Sequence, residues 1–345
     1  LAEELGVAPQ AATTRLYERI RRSAQAAAEP QTTANVTIPH ALPRELTPFV
    51  GRSRELLLLD QWLADPDCPL ITIVGEGGVG KSRLALAAAR HRLENGGRSF
   101  VGGIWFVPLI TLAAGGDSDS VAAAIGNAIG LPFQDSKPPA GQLLAALSQQ
   151  PCLLLLDNLE HLTESAAIDL IVTLLAQAPT VKLLATSRQP LELAGERVMR
   201  LAGLDVPRTP LPDDANGYDS IRLFAERAKR ANQTFHLSAE LDQVAAICDF
   251  VAGLPLGIEL AAAWTAVMSC HDIGRALHDN HDFLSSTRRD LPPRQRSLRA
   301  TFDYSWALLT LPEQKVLAQL PVFAGCFSPA AAQAVAWLRV AGLAA

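Results

Sequence analysis

Gly75-Glu-Gly-Gly-Val-Gly80-Lys81-Ser82 stands directly between a short apolar run, Leu70–Val74, and a helical stretch, Lys81–Leu93. The eight residues satisfy G-x-x-x-x-G-K-[ST] at every fixed position, in the strand-loop-helix setting that its chemistry needs. Glycines let the backbone curl so that its N–H groups converge on phosphate oxygens, and the N-terminus of the next helix adds partial positive charge. Gly75, Gly77, Gly78, Val79 and Gly80 are therefore read as a phosphate cradle, with Arg83 beside it. Lys81 neutralises the β- and γ-phosphates and the Ser82 hydroxyl is a Mg²⁺ ligand. As a phosphate-facing lysine, Lys81 is expected to be solvated rather than packed. The implied ligand is ATP or ADP with Mg²⁺.

Further along, Cys152-Leu-Leu-Leu-Leu-Asp157 is an apolar strand ending in a carboxylate. A parallel sheet delivers such a residue to the carboxyl edge, where phosphates sit, so Asp157 is the expected metal-side carboxylate. One strand later, Leu183-Leu-Ala-Thr186-Ser187-Arg188 ends in a guanidinium that can touch a γ-phosphate and report its presence. Lys81, Asp157 and Arg188 form the expected catalytic set. Asn158 follows Asp157 directly, and its amide can orient a water but cannot take a proton. Glu160 is the nearby alternative base, although its place on a turn reads as a solvated helix cap.

The apolar runs Leu70–Val74, Ile104–Val107, Leu153–Leu156, Lys182–Ala185 and Val198–Leu201 alternate with helical stretches. That alternation implies an α/β fold, a parallel sheet with helices on both faces. At 345 residues and 49% hydrophobic, the chain exceeds one compact core. Residues 1–26, with Leu16, Tyr17 and Ile20 on one helical face, read as the end of a preceding helical domain. Prolines 30, 39 and 43 mark 27–46 as a linker; 47–206 reads as the nucleotide-binding domain, Pro207, Pro210 and Pro212 open a helical lid over 207–286, and 287–345 reads as a further helical segment. In the last segment Leu298, Phe302 and Trp306 share a helical face, and Thr310-Leu-Pro-Glu313 reads as a capping box.

A net charge of −5 with both signs dispersed gives no general attraction to nucleic acid or anionic lipid. The basic stretch Arg288, Arg289, Arg294, Arg296 and Arg299 reads as a solvated face. Five cysteines without a C-x-x-C pair fit reduced thiols in a cytoplasm. The longest apolar stretch, Gly253 to Cys270, carries Glu259 and suits a buried helix better than a membrane span. His271, His278 and His281 show no clean i, i+4 pair and read as a polar helix end rather than a metal site. A start at Leu1 and an apolar end suggest a piece of a longer protein.

With these residues in place the chain resembles the STAND signalling ATPases, in particular the NB-ARC-type ATPase core of bacterial SARP/AfsR-like and large LuxR-like transcriptional regulators. Phe49-Val50-Gly51-Arg52 with Glu55 resembles the family's leading motif, which implies that Val50, Gly51 and Arg52 lie near adenine and ribose. Leu156-Asp-Asn-Leu-Glu-His161 resembles its Walker B strand, Ala185-Thr-Ser-Arg188 its sensor strand, and Gly253-Leu-Pro255 its GxP motif, which implies that Pro255 packs on adenine. Gln295–Trp306 with Val322–Gly325 resembles the start of a winged-helix domain. Leu1–Pro9 with Leu16–Arg19 resembles the end of a bacterial transcriptional activation domain. Two features depart from the family: Asn158 stands where many related ATPases place a catalytic Glu, and the Met-His-Asp triplet is absent.

The resemblance implies an ATP/ADP switch with slow hydrolysis, nucleotide-dependent self-association, and DNA contact through a domain outside this chain. An AAA+-like motor and a P-loop small-molecule kinase are the alternatives. Both need a group that activates the attacking nucleophile, which Asn158 cannot supply.

Overall fold

The computed structural model describes residues 38–95, 97–110, 112, 116–134, 136–162, 166–279, 284–285, 297–307, 309–323 and 328–340. The chain separates into two compact units, Leu1–Ile38 and Pro39–Ala345. The expected helix before residue 26, most of the basic stretch (Arg288, Arg289, Arg294, Arg296), His281 and Cys326 lie outside the described residues.

Six parallel strands form one sheet: β1 (His40–Ala41), β2 (Leu70–Val74), β3 (Ile104–Pro108), β4 (Leu153–Asp157), β5 (Lys182–Ser187) and β6 (Glu196–Arg200). Their order is β1-β3-β4-β5-β2-β6. The strand that feeds the glycine loop is thus flanked by β5 and β6, and β5 separates it from the strand that ends in Asp157. β1 falls within the stretch read as a linker; it pairs His40 with Ile104 and Ala41 with Trp105. β6 begins two residues earlier than its apolar run suggests, because the ladder with β2 starts at Glu196 opposite Leu70.

Helices cover both faces. Leu154 and Leu156 of β4 pack with α3 (Ser118–Ile129), α4 (Pro139–Leu147) and α5 (Ala166–Gln177) in one apolar cluster. Leu153 and Leu155, pointing the opposite way by the two-residue period of a strand, are equally buried. On their side lies α2 (Lys81–Asn95), which packs against α1 (Ser53–Ala64).

After β6 the strands stop. α6 (Asp219–Ala231), α7 (Leu237–Phe250), α8 (Pro255–Ala263) and α9 (Cys270–Asp279) close around Ile221, Phe224, Val244, Ile247 and Ile258. The register at the joint is tight. Leu204 N–H donates to the Gly253 carbonyl at 2.8 Å. Gly253 adopts φ +66°, and a Cβ there would lie 2.0 Å from the Leu204 carbonyl oxygen. Only glycine fits that close a backbone approach.

Beyond residue 297 the structure describes α10 (Leu298–Ala307), α11 (Leu311–Leu317) and α12 (Pro329–Val340). α11 opens with the expected capping box: Thr310 N–H donates to a Glu313 carboxylate oxygen at 2.7 Å. That bond and the Thr310 hydroxyl hold the Glu313 carboxyl below its usual range.

Candidate functional site

The glycine loop runs from the end of β2 into α2 and forms one wall of a cleft. Gly78 and Gly80 take φ of +83° and +97°, conformations that side-chain-bearing residues rarely adopt. Gly75 is needed for a different reason, since a Cβ there would sit 2.5 Å from the Leu201 carbonyl oxygen. Gly77, Gly78, Gly80, Lys81, Ser82 and Arg83 line the cleft together with Asn158, Glu160 and Arg188 from the sheet edge. Its interior holds about 150 Å³. A single water needs only ~10–15 Å³, so a row of phosphates can enter.

Lys81 is not solvated as the sequence suggests. It is 8% exposed, and its ammonium turns back to donate to the carbonyls of Gly75 (2.6 Å) and Glu76 (2.9 Å). The loop curls tightly enough that its own carbonyls lie within reach of the side chain.

Asp157 ends β4, buried, and its Oδ1 accepts from the Thr186 hydroxyl of β5 at 2.6 Å. The same hydroxyl accepts the Asn158 N–H at 3.0 Å. Asn158 itself sits at φ 66°, a left-handed conformation that Asn tolerates better than most residues. This turn, followed by the single 3₁₀ turn Leu159–His161, aims Glu160 back towards the cleft. The solvated-cap reading of Glu160 is therefore corrected: its side chain is 3% exposed. Its Oε1 accepts from Asn158 Nδ2 at 3.1 Å and pairs with Arg188 Nε at 3.4 Å.

A smaller, mostly apolar cleft continues from the first, lined by Phe49, Val50, Val79, Leu204, Leu223 and Pro255. Gly80, Arg83, Pro255 and Glu259 border both clefts. The arrangement suits a flat aromatic base joined to a phosphate chain. Arg52 frames this cleft, with its guanidinium committed to protein partners: Nη1 to Glu55 at 2.8 Å and Nη2 to the Ala202 carbonyl at 2.5 Å. Its N–H donates to Asp219 at the start of α6. Gly51, at φ +77°, leaves room for the same carboxylate, which a Cβ would approach to 2.4 Å.

The lid touches the phosphate loop directly. Leu256 N–H, in the first turn of α8, donates to the Gly78 carbonyl at 3.2 Å. Next to that contact, Glu259 Oε1 accepts from Arg83 Nη1 at 3.2 Å, Arg227 Nε at 2.9 Å and Arg227 Nη2 at 2.8 Å. Both arginines also donate to the Pro48 carbonyl. Burial pulls the Arg227 guanidinium below its usual range, and Glu259 opposes that shift.

Sequence reasoning brought the loop, Arg188 and Pro255 to one place, and they meet in this cleft. It missed Asp219 and Arg227. Arg227 carried a signal: it falls three residues after Phe224, a charge beside the apolar face of α6.

Ser82 and Asp157 suit a divalent cation by donor type, one hydroxyl on the cleft wall and one buried carboxylate at the end of β4, which does not itself line the cleft. The histidines do something else: the His278 ring packs edge-on to Phe250 at 5.0 Å, and His271 lies 3.6 Å from Asp272. Cys152, Cys248 and Cys270 are buried, and burial pushes each thiol up to about 12. No described helix is long and apolar enough to cross a membrane.

The AAA domain family matches residues 65–192. Uncharacterized protein Rv0894 of Mycobacterium tuberculosis is 36% identical over 301 residues, which cover 87% of this chain and 72% of the relative. "Putative HTH-type transcriptional regulator Rv0890c" of the same organism is 38% identical over 269 residues, 77% of this chain and 28% of the relative. Regulatory protein AfsR of Streptomyces griseus is 31% identical over 278 residues, 76% of this chain and 26% of its own length.

Proposed function

Because the chain belongs to the same family as mycobacterial Rv0894, matches the AAA domain over residues 65–192 and is similar to AfsR, we propose that it is the ATP- and ADP-operated switch of a bacterial transcriptional regulator. The observation that carries this reading is the bond from Leu256 N–H to the Gly78 carbonyl. It ties the phosphate loop to the first turn of the lid, so a change in what the loop holds is felt by α8.

Each part of the cleft has a role in this reading. The loop N–H groups and Lys81 hold the β- and γ-phosphates, Pro255 and Val50 sandwich the base, and Arg188 reaches the terminal phosphate. Bound Mg²⁺, held by Ser82 and Asp157, would neutralise phosphate oxygens. Hydrolysis is slow in this reading, because Asn158, directly after Asp157, has no basic oxygen and the nearest carboxylate on the cleft wall, Glu160, is paired with Arg188. The chain spans about a quarter of AfsR, and DNA contact belongs to a segment other than the domains described above. Helices α10, α11 and α12 belong to the start of a winged-helix domain, and nucleotide exchange governs self-association.

Calorimetry with ADP and ATP on the parent and on Lys81→Ala tests the proposal. The parent binds both, the variant binds neither tightly, and protein purified without added nucleotide carries ADP. Equal affinity in parent and variant would remove the site assignment. Because Lys81 is packed against two carbonyls, circular dichroism of the variant accompanies the measurement.

A further inference from the structure

We infer that Glu160 is the base that takes the proton of the attacking water, and that Arg188 and Asn158 hold it in reserve until a terminal phosphate draws Arg188 away. The inference rests on the nucleotide-binding reading above and deepens it.

The first support is burial. A carboxylate with 3% of its side chain exposed has left water at a steep cost that partners must offset. A turn that needed only a cap would leave that side chain in solvent. Leu159 and Leu162 are fully buried on either side of Glu160 and anchor the 3₁₀ turn, so its direction is fixed by packing.

The second support is where it points. Glu160 lies on the cleft wall with Gly77, Lys81 and Arg188, on the side of the cleft where a terminal phosphate would end. Its polar link runs through Asn158 to Thr186 and so to Asp157. The metal-side carboxylate and Glu160 are thereby held in one hydrogen-bonded chain.

The third support is Arg188. At 3.4 Å from Glu160 Oε1 its guanidinium neutralises the carboxylate. A terminal phosphate offers the same guanidinium two oxygens, where Glu160 gives Nε a single long contact. When Arg188 turns to that phosphate, the ion pair opens and a Glu160 oxygen can accept from a water.

The step then balances without any further reactant. The oxygen of a water held by Glu160 bonds to the terminal phosphorus while its proton moves to a Glu160 oxygen. The bond from that phosphorus to the β-bridging oxygen breaks, and its electron pair leaves on ADP. Glu160 returns the proton to the inorganic phosphate or to solvent.

The test is single-turnover phosphate release from Mg·ATP with the protein in saturating excess, alongside affinity for a fluorescent ATP analogue, on the whole chain. General-base help is worth roughly 10²- to 10⁴-fold. Glu160→Gln keeps size and hydrogen bonding, so release should fall by at least about a hundredfold with affinity nearly unchanged. The purified variant should carry ATP where the parent carries ADP, and Glu160→Asp should recover part of the rate. Release from Glu160→Gln equal to that of the parent would overturn the assignment. So would loss of affinity in step with rate, which would mark Glu160 as a support of the cleft. A parent that binds ATP but releases no more phosphate than Lys81→Ala also overturns it while sparing the binding reading. A parent that binds no nucleotide sinks both.

Discussion

Replacing Glu259 by Ala removes the one carboxylate shared by Arg83 and Arg227, and the two arginines should respond very differently. Arg227 has 6% of its side chain exposed, whereas Arg83 has 34%. Leaving a buried guanidinium without its partner costs about 3–5 kcal/mol, and the lower end applies because Glu226 also pairs with Arg227. The exposed Arg83 side of the pair is worth about 0.2–1 kcal/mol. Urea unfolding followed by circular dichroism should therefore show Glu259→Ala losing about 3 kcal/mol and Arg83→Ala losing less than about 1 kcal/mol. The double variant Arg227→Met, Glu259→Leu should recover most of the loss, since apolar residues of similar volume often replace a buried ion pair at no net cost. If Glu259→Ala were no worse than Arg83→Ala, the reasoning from burial would be refuted.

Three further perturbations probe other parts of the molecule. Gly253→Ala places a Cβ against the Leu204 carbonyl in a left-handed conformation, strain of about 1–2 kcal/mol before any clash; the melting temperature and ADP affinity should fall together, and an unchanged melting curve would contradict the joint described. Thr186→Val deletes the hydroxyl between Asp157 and Asn158, a loss of about 1–3 kcal/mol that should also weaken the Mg²⁺ dependence of nucleotide binding; calorimetry with and without Mg²⁺ decides. Cys152 and Cys248, raised from 9.0 to about 12 in the folded chain, keep their protons where the unfolded chain has lost them. Stability should thus fall as pH rises from about 9 towards 12, by about 1.4 kcal/mol per thiol per pH unit, and denaturation midpoints that stay flat over that range would count against their burial.

The sheet was legible wherever burial on both faces made a strand almost wholly apolar, as in Leu70–Val74, where Thr72 is the one polar residue, and in Leu153–Leu156. It was not legible at the edges. His40–Ala41 carries no apolar run and exists because the open side of β3 recruits it. In β6 only Met199 is buried, so the pattern misplaced a start that the hydrogen-bond ladder sets. At the site, the glycine loop could be read because its residue types are dictated by backbone geometry. The aim of Glu160 depends on a single φ angle at Asn158, and the folding back of Lys81 depends on the shape of the whole loop. Neither leaves a mark in residue spacing.

The hydrogen bond between the Gly78 carbonyl and Leu256 N–H also sets a thermodynamic obligation. Free-energy coupling between two sites is reciprocal: whatever factor a nucleotide applies to the docking of α8, a grip on α8 must apply to the nucleotide. A binder raised against the outer surface of the four lid helices, far from any phosphate, should therefore change nucleotide affinity by the same ratio by which nucleotide changes its own.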